Sequence, residues 1–155
     1  MDTQQLNRCL ATDPYVNRDD KYAGVFAIDT LPKKRSSSKV YVVNTSPSYI
    51  PVGHWVVLAK DKFFCSYGRS AGFYGIHGNY ECNKQQLQST YTSVCGLYVI
   101  AFTKAICRGY DVQEFLNCFT DSPKLNDRII SKSLPLFECI TGQFPLEDEV
   151  SKESF

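Results

Sequence analysis

The chain has 155 residues, with 17 Lys and Arg against 16 Asp and Glu, and 43% of its residues are apolar. A chain of this length buries roughly 70% of its unfolded surface in one domain, so its core needs neither disulfides nor a metal. The formal net charge of +1 argues against a strongly basic nucleic-acid-binding module, and the 14% aromatic content argues against disorder. We therefore expect a single domain over residues 1–155, with a charged tail at 147–155 that is frayed.

The cysteine pattern is typical neither of a disulfide framework nor of a zinc site. The number is odd, the spacing is wide and no CxxC pair occurs. The amino-terminal residues lack the basic start and apolar segment of a signal peptide, and the longest apolar run, at 94–102, is shorter than the about 20 residues of a membrane span. We therefore expect no metal, no membrane association and a reducing intracellular location. The seven cysteines are Cys9, Cys65, Cys82, Cys95, Cys107, Cys118 and Cys139.

The first part of the chain is predicted to form one short helix and a small sheet. The helix covers residues 3–11 and is ended by Asp13-Pro14. The third β-rich run is apolar at nearly every position, which predicts a central strand covered on both faces, and the fourth is its hairpin partner. The four predicted strands are residues 24–28, 40–44, 54–59 and 63–67.

The second part is predicted to be an irregular segment followed by helices. Residues 68–93 are rich in Gly, Asn, Gln, Ser and Thr, and an irregular segment of this length in a compact domain is usually functional. Residues 95–108 are apolar on almost every side, which predicts a buried helix that ends at Gly109.

Two further helices follow. Asp111 and Glu114 have the spacing of a capping box at the start of the second helix, and residues 124–141 predict a third that is broken near Pro135. Together the elements predict an α+β fold, in which a small mixed or antiparallel sheet packs against a buried central helix and further helices.

A cysteine and a histidine can act together as nucleophile and base. Of the two histidines, His54 begins the predicted central strand, whereas His77 lies in the glycine-rich segment and is expected at the surface. Cys95 opens the buried helix, where the free N–H groups and the helix dipole favour an anion, so we expect a lowered thiol pKa. Gly96 is expected to keep the space beside the sulfur free for a substrate backbone. On this pattern alone, a purely structural role for Cys95 stays open.

Four segments resemble the adenovirus protease (adenain) family and its relatives in adenovirus-like mobile elements, within a clan that includes the SUMO-specific proteases. They are GVFAIDTLP, VVNTSPS…GHW, FFCSYG and QSTYTSVCGLYVIAF, and the resemblance runs in order through residues 24–120. The specific part is the combination of His-Trp at a strand start, an aromatic hairpin partner, and Gln ahead of Cys-Gly at a helix start.

The resemblance implies an adenain-like fold and a cysteine endopeptidase. Cys95 matches the family's nucleophile, His54 its general base and Trp55 the tryptophan beside the histidine. Gln88 matches the glutamine whose side-chain N–H, with the Cys95 backbone N–H, forms the oxyanion hole. The implied substrates are viral precursor proteins cleaved after small residues such as glycine, during virion maturation. An isopeptidase for ubiquitin-like protein tails is the alternative within the clan.

One position departs from the family pattern. Where the family has Asp, Glu or Asn to orient the histidine, this sequence has Cys65, and a thiol is a weak hydrogen-bond acceptor. Three alternatives stay open: a Cys–His dyad, substitution by Asp61, Asn79 or Asn83, or a catalytically impaired protein that acts as a binding module.

The family also implies DNA and a short viral peptide as activators. Lys33-Lys34-Arg35, Lys60 and Lys62 are the residues that would contact phosphate, and the overall charge predicts weak, salt-sensitive DNA binding at most. No other cofactor is expected. The implied location is the host nucleus or cytoplasm, or the virion itself.

Overall fold

The computed structural model describes residues 1–50, 52–90 and 92–140, the last eight by their backbone alone. Within these residues the chain forms four α-helices and five strands in an α+β arrangement. Among them, no helix has both the length and the apolar character required to cross a membrane. The elements are α1 (Thr3–Ala11), β1 (Tyr22–Ala27), β2 (Val40–Asn44), β3 (Trp55–Ala59), β4 (Lys62–Phe64), β5 (Glu81–Cys82), α2 (Cys95–Cys107), α3 (Val112–Leu116) and α4 (Pro123–Ile140).

The strands form one mixed sheet in the order β1-β2-β3-β4-β5. The two outer pairs are parallel, and β3 is antiparallel to both of its neighbours. Every residue of β3 is buried, which confirms the predicted central strand. The predicted hairpin is also confirmed, with Ala59 opposite Lys62 across a tight turn in which Lys60 has φ +59°. The fourth strand is shorter than predicted because the Cys65 N–H donates to the side chain of Asn83 instead of continuing the ladder.

The sheet separates two apolar clusters, since successive side chains of a strand point to opposite faces. Trp55 and Val57 face α2, whereas Val56 and Leu58 face the other cluster. On the α2 side, the ring of Phe64 stacks on the ring of Phe102 in the helix, with centroids 4.4 Å apart. Burial of an aromatic side chain of this size stabilises the fold by about 1.5–3 kcal/mol. The other face is covered by part of the segment between β4 and β5.

Helix α2 is the buried helix that the sequence predicts, and all its residues except Leu97 and Ile106 are buried. Its end is a Schellman motif. The Tyr110 N–H donates to the Ala105 carbonyl (3.1 Å), the Gly109 N–H donates to the Ile106 carbonyl (3.0 Å), and Gly109 has φ +93°. The predicted end at Gly109 is therefore confirmed.

The later helices confirm one prediction and correct another. The capping box of α3 is present, because Asp111 accepts from the Glu114 N–H (2.8 Å) and Glu114 accepts from the Asp111 N–H (3.1 Å). The predicted break near Pro135 is wrong, since α4 continues from Pro123 to Ile140. A proline removes one backbone donor but keeps a helical φ, so a helix can pass through it. The tail at 147–155, predicted to be frayed, lies outside the described residues.

A buried ion cluster fastens the segment after α1 to α2. The Asp13 carboxylate lies 2.9 Å from the Arg108 guanidinium and 3.7 Å from the Lys104 ammonium. Its other oxygen accepts from the N–H of Tyr15 (2.9 Å). The three charged side chains are only 3–6% exposed. The fold therefore holds α1 against the helix that Cys95 begins.

Candidate active site

His54 and Cys95 line the same open cleft, which has a volume of about 680 Å³. His54 immediately precedes β3, and Cys95 is the first residue of α2. Trp55, Tyr67 and Thr92 also line this cleft. The fold therefore places the imidazole and the thiol that the sequence singles out on the walls of one cleft.

The backbone around His54 is fixed by its neighbours on β2 and the loop that follows. The His54 N–H donates to the Thr45 hydroxyl (3.1 Å), and the His54 carbonyl accepts from the Thr45 N–H (2.8 Å). A Cβ atom at Gly53 would lie 2.0 Å from Asn44 Oδ1 and 2.7 Å from Ser46 Oγ. The close approach of these two side chains leaves no room for a Cβ directly before the histidine, so glycine is favoured there.

We expect Gly53→Ala to destabilise the protein by about 1–3 kcal/mol, the usual cost of an added methyl group in a packed site. The new methyl would displace Asn44 Oδ1, which accepts from the Ser46 N–H at 2.8 Å, and would shift His54. Urea denaturation measures the loss. Gly72→Ala is the matched control, because a Cβ there would meet nothing closer than 3.9 Å. Equal stability of the two variants would contradict this account.

The imidazole of His54 is contacted at its edge by Cys65 and on its face by Tyr67. Its Nε2 lies 3.4 Å from Cys65 Sγ, and that sulfur lies 3.1 Å from the Tyr74 hydroxyl. The ring of Tyr67 stacks on the imidazole, with centroids 4.4 Å apart and an angle of 20°. Nε2 is therefore engaged with Cys65, and Nδ1 is the ring nitrogen that takes no part in this contact.

Burial, and to a lesser extent the positive charge of Arg69, lower the pKa of His54 to about 4. The Arg69 guanidinium lies over the rings of Tyr67 (5.3 Å) and Phe73 (4.7 Å). The imidazole is therefore neutral at neutral pH, which is the protonation state that a general base requires.

The expectation of a lowered thiol pKa at Cys95 is wrong. Burial raises the pKa of the Cys95 thiol, and hydrogen bonds from the backbone N–H groups of Trp55 and Gly96 offset only part of that effect. The helix start does favour the thiolate, but only 8% of the residue is exposed, so the desolvation of the charged form dominates. In the resting protein the thiol and the imidazole are thus both neutral.

The space beside Gly96 is not free, contrary to the sequence-based expectation. A Cβ at Gly96 would lie 3.3 Å from the Met1 Cβ and 3.4 Å from the Met1 sulfur. The indole N–H of Trp55 donates to the Met1 carbonyl (3.1 Å). The segment ahead of α1 therefore packs across the helix start and forms one wall of the cleft. Its position depends on tertiary packing, which no local motif reports.

Gln88 is fully buried behind the cleft. Its Oε1 accepts from the Ser66 hydroxyl (2.6 Å), and its Nε2 donates to the Thr92 carbonyl (3.0 Å). The same loop is tied to α4, since Asp127 accepts from the Thr92 hydroxyl (2.9 Å). The side-chain N–H of Gln88 therefore holds the loop before Cys95, and it would have to leave Thr92 to reach an oxyanion.

Among the candidates for the third position, Cys65 is the residue that contacts the His54 ring. Asn83 instead holds the backbone of Cys65, with its Nδ2 donating to the Cys65 carbonyl (2.8 Å) and its Oδ1 accepting from the Cys65 N–H (2.9 Å). Asp61 lies in the β3–β4 turn, and Asn79 is exposed.

Sequence reasoning missed the aromatic rings around the imidazole, Tyr67 and Tyr74. The available signal was the high tyrosine content of the segment that follows Cys65.

The basic residues considered for phosphate contact are partly used within the fold. Arg35 donates to the carbonyls of Pro32 (2.8 Å) and His77 (2.8 Å), and Lys62 pairs with Glu81. His77 is exposed, as expected. Lys33, Lys34 and Lys60 are also exposed. DNA binding stays a prediction.

No protein-family model matches this chain, and no curated protein matches it significantly. In the described part of the chain, no group of three or more His, Cys, Asp or Glu side chains is placed to hold a metal ion. The interpretation of the site therefore depends on its own geometry and on the resemblance of the four segments quoted above.

Proposed function

We propose that the chain is a cysteine endopeptidase with an adenain-like fold, in which Cys95 is the nucleophile and His54 the general base. One observation carries the proposal. A thiol at the start of a buried helix and a neutral imidazole at the start of a buried strand open into one cleft. Each group lies at the start of, or directly before, a regular element, which supports the proposal because acyl transfer requires a nucleophile and base in fixed positions.

The chemistry follows from the two neutral groups. His54 Nδ1 accepts the thiol proton as the Cys95 sulfur attacks the scissile carbonyl carbon and forms a tetrahedral intermediate. The backbone N–H at the start of α2 donates to the developing oxyanion. The imidazolium then gives its proton to the leaving amine, and His54 activates a water that hydrolyses the thioester. Because the His54 pKa is lowered to about 4, the imidazolium is a strong acid toward the leaving amine.

The walls of the cleft favour an extended polypeptide with small residues next to the scissile bond. Trp55 and Met1 lie against Gly96, so little width remains beside the residue that follows Cys95. Glycine fits such a passage because it has no side chain. Viral precursor proteins as the natural substrates follow from the family resemblance alone and remain a prediction. Ubiquitin-like tails would fit the same passage.

Labelling with a peptide vinyl sulfone that ends in glycine tests the proposal. We expect mass spectrometry to find the adduct on Cys95, and labelling to require His54 because the resting thiol is neutral. Cys118→Ser is the matched control, since this half-buried cysteine lies away from the cleft and its loss should leave labelling unchanged.

Two outcomes would point elsewhere. Absence of preferential Cys95 labelling from about pH 6 to about pH 9 would indicate a binding module without catalysis. Reaction with diglycine-ended ubiquitin-like probes but not with precursor-type peptides would indicate the isopeptidase.

A further inference from the structure

Tyr74 touches the residue that replaces the family's acid. Its hydroxyl lies 3.1 Å from Cys65 Sγ, and the same sulfur lies 3.4 Å from His54 Nε2. The position of Tyr74 is well fixed. It ends a 3₁₀ turn (Ala71–Tyr74) that Ser70 caps through the Phe73 N–H (3.3 Å), and Gly75 closes this turn with φ +74°.

The surroundings of Tyr74 keep its hydroxyl neutral. The ring packs against the rings of Phe63 and Phe73, with centroids 6.1 and 5.1 Å away. Burial is the largest cause that raises the pKa of Tyr74, and it outweighs the opposite effect of Arg69. The phenolic oxygen is therefore present as a hydroxyl, which can both donate and accept a hydrogen bond.

A thiol differs from a carboxylate in one respect that matters here: it carries a proton and can donate it. If the Cys65 S–H donated to His54 Nε2, the ring proton would sit on Nδ1, and that nitrogen could not act as a base. If the S–H donates elsewhere, the sulfur lone pair accepts from Nε2–H and Nδ1 stays unprotonated. A carboxylate has no such choice, because it only accepts. For Nδ1 to act as the base, a group other than His54 must therefore accept the hydrogen bond from the Cys65 S–H.

We propose that Tyr74 is a positioning residue that accepts the Cys65 S–H and thereby sets the tautomer of His54. Cys65 and Tyr74 together then do what one carboxylate does in the family pattern. The effect of Tyr74 on turnover rests on the proposed peptidase function. Its effect on the His54 tautomer does not, and the tautomer can be measured without any substrate.

Nitrogen NMR of the two histidines is the first test. In the wild-type protein we expect His54 to carry its proton on Nε2. Tyr74→Phe keeps the ring packing against Phe63 and Phe73 but removes the oxygen, so His54 should shift toward the Nδ1–H tautomer. The exposed His77 serves as the internal reference, and Tyr15→Phe as the matched control. An Nδ1–H tautomer in the wild-type protein, or no change in Tyr74→Phe, would overturn the inference.

A second test uses Cys65→Asp, because a carboxylate accepts from Nε2–H whether or not Tyr74 has its hydroxyl. Tyr74→Phe should lower kcat/KM about tenfold beside Cys65, the effect of one lost hydrogen bond, and by less than about twofold beside Asp. Equal losses in the two backgrounds would show that Tyr74 is merely structural. Absence of turnover in the wild-type protein, both single variants and the double variant would refute the peptidase. The NMR result would still decide the role of Tyr74.

Discussion

His54→Gln is expected to lower kcat/KM by about a thousandfold, within the range that a positioned acid–base group contributes. Glutamine has no group that accepts a proton from the neutral Cys95 thiol. The fold should survive, because the backbone of His54 makes its two hydrogen bonds to Thr45 without the side chain. Turnover of a glycine-containing peptide and circular dichroism together measure both effects.

His77→Gln is the matched control for this loss. His77 is exposed, and its contact with Arg35 is made by its main-chain carbonyl, so the substitution should change neither turnover nor stability. A His54→Gln enzyme that keeps more than about a tenth of wild-type kcat/KM would show that another group acts as the base.

The pH profile of the wild-type enzyme provides a further check on His54. Since its pKa is lowered to about 4, the imidazole stays neutral far below neutral pH and loses its function as a base only as pH falls through that value. The acid limb of kcat/KM should therefore lie near pH 4. An acid limb near the usual histidine pKa of about 6.5 would mean that the imidazole is more solvated than the cleft indicates.

Features set by local periodicity could be predicted from the sequence. The apolar run that becomes β3 and the apolar helix α2 both have a pattern that is typical of a buried element. Gly109 and Asp111 are residue types that commonly end and begin helices, and they do so here. The sequence singles out His54 and Cys95 because the first directly precedes β3 and the second is the first residue of α2. Their shared cleft follows from the sheet order, which the sequence does not state.

Long-range contacts could not be predicted. The Cys95 pKa follows burial by residues distant in the sequence rather than the local helix start. Met1 packs against Gly96, although the two residues are far apart in the sequence, and Gln88 accepts a hydrogen bond from the distant Ser66. Tyr74 meets Cys65 only because the irregular segment folds back over the sheet. In each case a contact between distant segments sets the chemistry.

Asp13→Asn is expected to destabilise the protein by about 3–5 kcal/mol, the range measured when one member of a buried ion pair is removed. Asparagine keeps a side-chain oxygen for the Tyr15 N–H, so the change isolates the charge. Lys104 and Arg108 would then lie close together, at 5–6% side-chain exposure, without the carboxylate that now lies between them. Urea denaturation measures the change in the free energy of unfolding.

The exposed ion pair of Arg18 and Asp19, with side chains 68% and 63% exposed, provides the control. Asp19→Asn should cost only about 0–1 kcal/mol, because solvent screens an exposed pair and asparagine tolerates the positive φ at this position. Similar losses in both variants would mean that the Asp13 cluster is solvated. A large loss for Asp13→Asn alone would show that this cluster holds α1 on α2, and with it the Met1 wall of the cleft beside Cys95.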